Sequence, residues 1–302
     1  FQVFDTENPA CSVESVPVSV NDRTRFIYEA ACCGLRDFFV KNGYKKACVG
    51  VSGGIDSAVV ACLAVAALGA ENVRGLMMPS QFSSEGSVED AKQLAENLGI
   101  EFHVVPITEA YRSIVDTLIP VIGGTDFDAT EENIQSRIRT LMLMALQNKN
   151  GYVLLNCSNK SENALGICTL YGDTGGAFSV TGDLYKTEMY DLARYINRKF
   201  GAPIPENILT KEPSSELRPN QKDSDMLPSY EVVDAILYRL IEDGQSREEI
   251  INAGFDSDEV QKIYAMVMRN EKKRFQYPPV LRLSSSSFGH EYRMPLTHKY
   301  VK

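Results

Sequence analysis

The chain has 302 residues, 44% hydrophobic and 24% charged, the usage of one large globular domain with ample apolar material for a core. A formal net charge of −9 disfavours nucleic acid and anionic membranes as partners, since phosphate-backbone binding rests on clustered Lys and Arg. Three histidines without metal-ligand spacing argue against a zinc centre, and seven cysteines without a CxxC pair read as reduced thiols of a cytoplasmic protein.

Residues 1–20 mix Pro, Val and Ser without helical period and read as a linker or extended arm. The chain opens on Phe, which fits a segment beginning inside a longer polypeptide. Residues 21–302 are expected to form the functional domain. Asn21 or Asp22 is placed to cap a helix whose apolar face is Phe26, Ile27, Ala30, Leu35 and Phe38. The run 47–52 reads as a strand and 57–68 as an alanine-rich helix. Strand 73–78, ended by Pro79, leads through a Ser/Gly loop to helix 87–98. Strand 102–107 and helix 109–118 follow, then a long helix over 131–148 and an apolar strand over 152–156. No apolar run reaches the ~20 residues of a membrane span, and no signal peptide opens the chain.

Strands that alternate with helices, each nearly continuous in apolar residues, predict a parallel sheet covered on both faces. The fold class is α/β, a doubly wound Rossmann-like sheet. Ligands in such sheets bind beyond the carboxyl ends of the strands. Past residue 200 the pattern changes to a helical C-terminal elaboration. The polar stretch 211–228 reads as a functional or mobile loop, and short helices are expected over 229–243, 246–252 and 256–271. The tail 275–302 is irregular, with 284–287 a flexible serine patch.

The densest chemical signal is Ser52-Gly53-Gly54-Ile55-Asp56-Ser57. A strand delivers two glycines and two hydroxyls to the start of a helix, where free N–H groups face an anion: a phosphate cradle. It is not a Walker loop, because Asp56 stands where that loop carries lysine. A carboxylate beside phosphates is repulsive unless a divalent cation lies between them. The loop therefore predicts a nucleotide, a magnesium ion and a cationic side chain from elsewhere.

Other constellations admit two readings each. Asn159-Lys160-Ser161-Glu162 is either a capped helix start or the source of the second magnesium carboxylate, Glu162. Asp173, in Tyr171-Gly172-Asp173-Thr174-Gly175-Gly176, is either part of a turn or a wall of the crevice. Lys186 is either a solvated lysine or the cation missing from the cradle. Helix 131–148 carries Asn133, Gln135, Arg137 and Arg139, then an apolar run, 141–146, that reads as buried in the core or in a subunit interface. Its arginines are either surface charges or a fork for phosphate or carboxylate. Lys272-Lys273-Arg274 is, on its own, a solvated charge run.

Taken together, these pieces resemble the NAD synthetases of the N-type ATP pyrophosphatase superfamily. Ser52 to Ser57 matches the superfamily loop SGGxDS, which GMP synthetases, asparagine synthetases and tRNA-modifying enzymes share. Narrower matches are Met78-Pro79-Ser80 with Ser83-Ser84, Asn133-Ile134-Gln135-Ser136-Arg137-Ile138-Arg139, Asn159 to Glu162, and Leu170-Tyr171-Gly172-Asp173. Thr181-Gly182-Asp183-Leu184-Tyr185-Lys186-Thr187, residues 213–219, Gln276 and Pro278 continue the match. The chain looks most like the C-terminal synthetase half of glutamine-dependent enzymes, whose N-terminal nitrilase-like glutaminase precedes a linker. Residues 1–20 look like that linker's end, so the expectation is an excised domain or a form using free ammonia. Cys157 and Ser158 depart from the Thr and Gly common in the family, and Phe275 from a common basic residue.

The resemblance implies a ligase that forms a C–N bond: nicotinic acid adenine dinucleotide (deamido-NAD) is amidated to NAD with ATP, through an adenylated intermediate. AMP and pyrophosphate leave, and ammonia is the nitrogen donor. It implies ATP contacts at Ser52, Gly53, Gly54, Ser57, Met78, Lys186 and Ser214, and magnesium on Asp56 and Glu162. Asp56, Asp173 and Lys186 are implied in catalysis. Asn133, Arg137, Arg139, Asp173 and Lys273 are implied in binding the dinucleotide, and a homodimer is implied with helix 131–148 as its interface. The competing readings are another adenylating enzyme of the superfamily, such as a tRNA-modifying one, and a nucleotide-binding protein without catalysis.

Overall fold

The computed structural model describes residues 23–123, 126–219 and 221–299. The linker reading of 1–20, the caps at Asn21 and Asp22, and Cys11 lie outside the described residues. Strands β1 (Lys46–Gly50), β2 (Val73–Met77), β3 (Glu101–Val104), β4 (Tyr152–Asn156) and β5 (Phe178–Ser179) form one sheet in the order β3-β2-β1-β4-β5. All four pairings are parallel. The order reverses at β1 and β4, so the segments leaving these neighbours diverge and open a crevice past their carboxyl ends. The expected doubly wound α/β architecture is the one observed.

Alternation along β1 assigns its side chains to two layers. Ala47 and Val49 join a core with α1 (Arg23–Asn42), α2 (Ile55–Leu68) and α7 (Lys186–Phe200). Cys48 faces the other way, with Leu76 and Leu154, under α4 (Thr108–Ile122) and α5 (Ala129–Asn150). Helix α3 (Glu85–Leu98) starts at Ser84, whose hydroxyl accepts from the Ser87 N–H, and α6 (Lys160–Leu165) follows β4. Beyond α8 (Glu206–Thr210) come α9 (Tyr230–Ile241), α10 (Arg247–Asn252), α11 (Ser257–Arg269) and α12 (Glu271–Arg274). Helices α9 to α11 close a third apolar cluster over α6, through Ala164, Leu165 and Tyr185. Among the described residues no helix is long and apolar enough to cross a membrane.

Several expectations shift. The buried stripe of α1 is Ile27, Ala31, Leu35 and Phe39, an i, i+4 row; Phe26 and Ala30 are exposed. Strand β3 stops at Val104 and is mostly exposed, because it is the edge of the sheet. The run 141–146 of α5 is not enclosed: Leu143 is buried, whereas Leu141 is 67% exposed. It shares that exposure with Val121 and Ile122 at the end of α4. The serine patch 284–287 is an anchor and not a flexible stretch. Ser284 Oγ and the Ser286 carbonyl accept from the Lys160 ammonium at 2.7 and 2.9 Å, and Ser287 is fully buried. The run at 272–274 also turns inward: Arg274 is buried and donates to the Ala164 and Val267 carbonyls.

The Lys160 side chain has no exposed surface, and it pairs with the fully buried Asp183 at 2.9 Å and with Glu242. One ammonium thus joins α6, the turn before α7, the end of α9 and the C-terminal tail. Lys160→Ala leaves two carboxylates buried without their cation, a loss that typically costs about 3–5 kcal/mol. Urea denaturation should show that loss in the midpoint, and a midpoint within the error of the parent chain would contradict it.

Candidate active site

The turn after β1 bends sharply at Gly53, where φ is +77°. A Cβ there would lie 2.2 Å from the Ser87 carbonyl oxygen, so α3 crosses too closely for any side chain. The Ser57 hydroxyl accepts from the Ser52 N–H at 3.1 Å and donates to the Gly54 carbonyl. The Ser52 hydroxyl accepts from the Gly54 N–H at 3.2 Å. Residue Gly54 begins α2 with no side-chain cap. The first amides of α2 therefore point, with the positive end of the helix dipole, into the crevice.

Three charges from distant stretches meet beside this turn. Lys186 Nζ lies 2.6 Å from Asp56 Oδ2 and 3.2 Å from Glu162 Oε1. The lysine side chain is 4% exposed, while the two carboxylates keep 18% and 22% of their surface. The second Asp56 oxygen accepts from Asn159 Nδ2 at 2.9 Å, and Asn159 Oδ1 accepts from the Glu162 N–H at 3.0 Å as the cap of α6. Burial acts to lower the Lys186 pKa, but the two carboxylates outweigh it and hold the ammonium well above its ordinary value. Burial pushes the Glu162 carboxyl up to about 7; Lys186 opposes this and Asp56 adds to it. The Cys157 thiol, on the same wall, is pushed up by burial and then by the Asp56 and Glu162 charges.

The opposite wall is built from α5 and the turn after α6. Ser136 Oγ accepts from the Asp173 N–H at 2.9 Å, and Thr140 Oγ1 donates to the Gly172 carbonyl at 2.6 Å. A Cβ at Gly172 would come within 2.3 Å of Ser136 Oγ, so the turn is pressed onto the helix. Asp173 Oδ1 accepts from the Thr169 N–H at 2.7 Å, and Asn156 Nδ2 donates to the Asp173 carbonyl at 2.7 Å. Asp173 is exposed to the crevice yet crowded by protein; the crowding pushes its carboxyl up to about 6, against the Thr169 and Ser136 hydrogen bonds. Arg139 Nε donates to the Met78 carbonyl at 2.9 Å, and burial lowers its pKa to about 10 while Glu216 and Asp173 oppose the shift.

Between the walls is a cavity of about 320 Å³. The loop expected over 211–228 lies across it, and Lys211, Ser214 and Glu216 line it. The Glu216 carboxylate accepts from the Ser84 and Ser87 hydroxyls, both at 2.8 Å, and Ser214 Oγ accepts from the Glu216 N–H. Of the residues singled out in the sequence, Ser52, Gly54, Asp56, Ser57 and Met78 line the cavity. So do Arg139, Glu162, Asp173, Lys186 and Ser214. Gly53 stands behind the turn, against α3.

Three of the residues implied in dinucleotide binding have other partners. Asn133 Oδ1 accepts from Thr169 Oγ1, Arg137 Nε donates to the Leu170 carbonyl, and Lys273 Nζ donates to the Gly166 and Cys168 carbonyls. None of these three lines the cavity, and the two arginines of α5 do not form a fork. The sequence places Asn156 at a strand end facing the crevice and Ser136 in a matched motif, but assigns no site role to Ser136, Thr140 or Asn156. The first two extend Asn133 into a polar stripe at i, i+3 and i+7, a visible signal on α5. Asn156 is an amide closing an otherwise apolar strand, at the end where such sheets bind ligands.

Two carboxylates open to the cavity suit a hard cation such as magnesium. Among the described residues no group of three or more His, Cys, Asp and Glu side chains could hold a metal ion. Asp56 and Glu162 therefore fit magnesium only as partial ligands, with phosphate oxygens and water completing the shell, as is usual for this ion.

The sequence pattern described as NAD synthase matches residues 27–277. The chain is 52% identical over 276 residues to a glutamine-dependent NAD(+) synthetase of Aquifex aeolicus, a match covering 91% of this chain and 48% of that protein. A glutamine-dependent NAD+ synthetase from Acinetobacter baumannii, solved in complex with ADP, superposes with a TM-score of 0.63 at 41% identity, covering 94% of this chain and 51% of that one. An NH3-dependent NAD synthetase from Campylobacter jejuni, solved with a nitrate ion, gives a TM-score of 0.67 at 31% identity, covering 83% and 96%. The chain spans about half the length of the curated relatives it matches.

Substituting Gly53→Ala forces a left-handed residue with a Cβ onto the α3 backbone, at a cost of at least about 1–2 kcal/mol. The turn must move, so affinity for the ATP that the resemblance implies should fall about tenfold or more, equivalent to ~1.4 kcal/mol. Calorimetric titration with ATP checks this; unchanged affinity in a folded variant contradicts it.

Proposed function

The chain belongs to the NAD synthase family, and we propose that it performs the amide-forming reaction that the resemblance implies. Its substrates are then deamido-NAD, ATP and ammonia, and its products NAD, AMP and pyrophosphate. The observation that carries the reading is the Asp56–Lys186–Glu162 cluster at the mouth of an uncapped helix start. A cradle of amides and hydroxyls, two carboxylates and a buried cation together answer the needs of a departing pyrophosphate.

The chemistry divides into two displacements. The nicotinate carboxylate attacks the α-phosphorus of ATP; the bond to the bridging oxygen breaks and pyrophosphate takes the electron pair. Ammonia then attacks the acyl carbon of the adenylate, a C–N bond forms, AMP leaves and a proton is lost. The amides of Ser57 and its neighbours, with the Ser52 and Ser57 hydroxyls, are placed to hold the leaving phosphates. Magnesium bound by Asp56 and Glu162 would neutralise charge on the phosphate oxygens. Lys186, buried between the two carboxylates at the cavity wall, is placed to pair with phosphate. Arg139 and Asp173 stand on the wall opposite, where they can orient the dinucleotide and the incoming ammonia.

Two further parts of the reading concern context. A homodimer through α4 and α5 would cover Leu141, Val121 and Ile122, which one protomer leaves exposed. Asn133, Arg137 and Lys273 serve in this reading by shaping the turn 166–173 through backbone carbonyls and Thr169. Free thiols at Cys48 and Cys62, buried in the core, fit a cytoplasmic enzyme.

Steady-state turnover to AMP and pyrophosphate should require deamido-NAD, ATP, magnesium and ammonium together; turnover that proceeds without the dinucleotide would sink the reading. Asp56→Asn should lower kcat by about 10²–10³ with the melting temperature little changed, the scale of losing one electrostatic stabiliser. Lys186→Ala should raise the KM for ATP more than the KM for the dinucleotide; equal effects on both would remove Lys186 from the phosphate side.

A further inference from the structure

One helix of the C-terminal layer sends a carboxylate beneath the cluster just described. Asp234 of α9 is buried, at 5% exposure, and does not line the cavity. Its Oδ1 accepts from Ser161 Oγ at 2.5 Å, and its Oδ2 accepts from the Thr187 N–H at 2.8 Å. The Ser161 oxygen accepts in turn from the Lys186 N–H at 2.9 Å. Ser161 directly precedes Glu162 in α6, and Lys186 and Thr187 are the first residues of α7. A single carboxylate therefore ties together the first turns of the two helices that carry Glu162 and Lys186.

Geometry makes this tie specific. The opening amides of a helix need acceptors, and the residue before α7, Tyr185, offers its side chain to none of them. Two of those amides are met from outside, one by Asp234 and one by Ser161, whose own proton goes to Asp234. A carboxylate there also faces the positive end of the α7 dipole. The 3.2 Å separation between Lys186 Nζ and Glu162 Oε1 spans two helices whose first turns this bridge links directly, beside the Lys160–Asp183 pair. Asp56 comes from α2 and meets the same cluster through Asn159 and Lys186.

We propose that Asp234, acting through Ser161, is a positioning residue that fixes Lys186 against Glu162 and so sets the geometry in which the chain takes ATP with magnesium. The identity of that ligand rests on the reading under Proposed function; the bridge itself does not. Asp234→Asn keeps the volume and one acceptor, but sets an amide NH2 against a donor. Ser161→Ala removes the middle of the bridge and leaves Asp234 on Thr187.

The test uses the whole chain with both single variants and the double variant. Calorimetric titration of ATP in the presence of magnesium gives a readout independent of turnover. Steady-state kinetics give kcat and the separate KM values. Each single variant should weaken magnesium–ATP binding about tenfold or more and lower kcat, the scale of sub-ångström misplacement. The KM for the dinucleotide should stay within twofold, and the double variant should lose no more than the worse single, as members of one unit do. Folded single variants that bind magnesium–ATP as the parent does would overturn the proposal. So would a lowered melting temperature with normal affinity below the transition, or losses that add in the double variant. If Asp234→Asn does not fold, Ser161→Ala decides by the same criteria. A parent chain that binds ATP but forms no AMP from the dinucleotide defeats the adenylation reading, and the binding comparison still decides the role of Asp234.

Discussion

The arrangement of this protein turns on one buried ammonium shared by two carboxylates. Lys186 comes from the start of α7, Asp56 from the start of α2 and Glu162 from the start of α6. When both carboxyls are ionised, one ammonium leaves the group with an uncompensated negative charge in a poorly hydrated place, which is why burial pushes Glu162 up. Such a cluster is costly to assemble unless its members are also hydrogen-bonded, and Asn159 meets both carboxylate-bearing segments at once. It is stable with its own lysine and still receptive to a more highly charged cation. That combination suits a site whose ligand arrives as a metal-bound polyphosphate.

The sheet topology makes the meeting possible. Helices α2 and α6 follow strands β1 and β4, which are hydrogen-bonded neighbours, so two helix starts project into one crevice. Helix α7 is brought to the same point by a two-residue strand, β5, beside β4. The C-terminal helices then act as a brace from outside the sheet. That brace grips α6 and α7 with charge at Lys160, at Asp234 and through Arg274 on the Ala164 carbonyl, and apolar packing fills the space between. Fold and site are consequently not separable layers here: within the first turn of α6, Lys160 anchors the scaffold while Ser161 and Glu162 meet Lys186.

Much of this was legible in the residues alone. The strands of the doubly wound sheet, the cradle at Ser52 to Ser57, and the candidacy of Glu162 and Lys186 follow from local pattern, because each sits at a strand end or helix start. What local pattern does not carry is the direction in which a polar residue turns. The serines at 284–287 look like a flexible patch, yet they surround a buried lysine from a segment far away in sequence. The arginines of α5 look like a pair, but Arg139 enters the cavity wall while Arg137 turns outward to the Leu170 carbonyl. The expected face of α1 holds at Ile27 and Leu35 but takes in Phe26 and Ala30, which satisfy the period as well as Tyr28 and Ala31 do. Which row faces inward is decided by α2 and α7, and no sequence window contains them.

The acyl adenylate proposed for this site would lie beside a sulfur atom, which poses a chemoselectivity problem. Cys157 lines the cavity, and a thiolate there would compete with ammonia for the adenylate and trap it as a thioester. The protein answers with the environment it already has: burial and the negative charges of Asp56 and Glu162 keep the sulfur protonated. The carboxylates that suit a metal thus also silence the neighbouring nucleophile, which in the proposed reaction leaves ammonia as the acceptor.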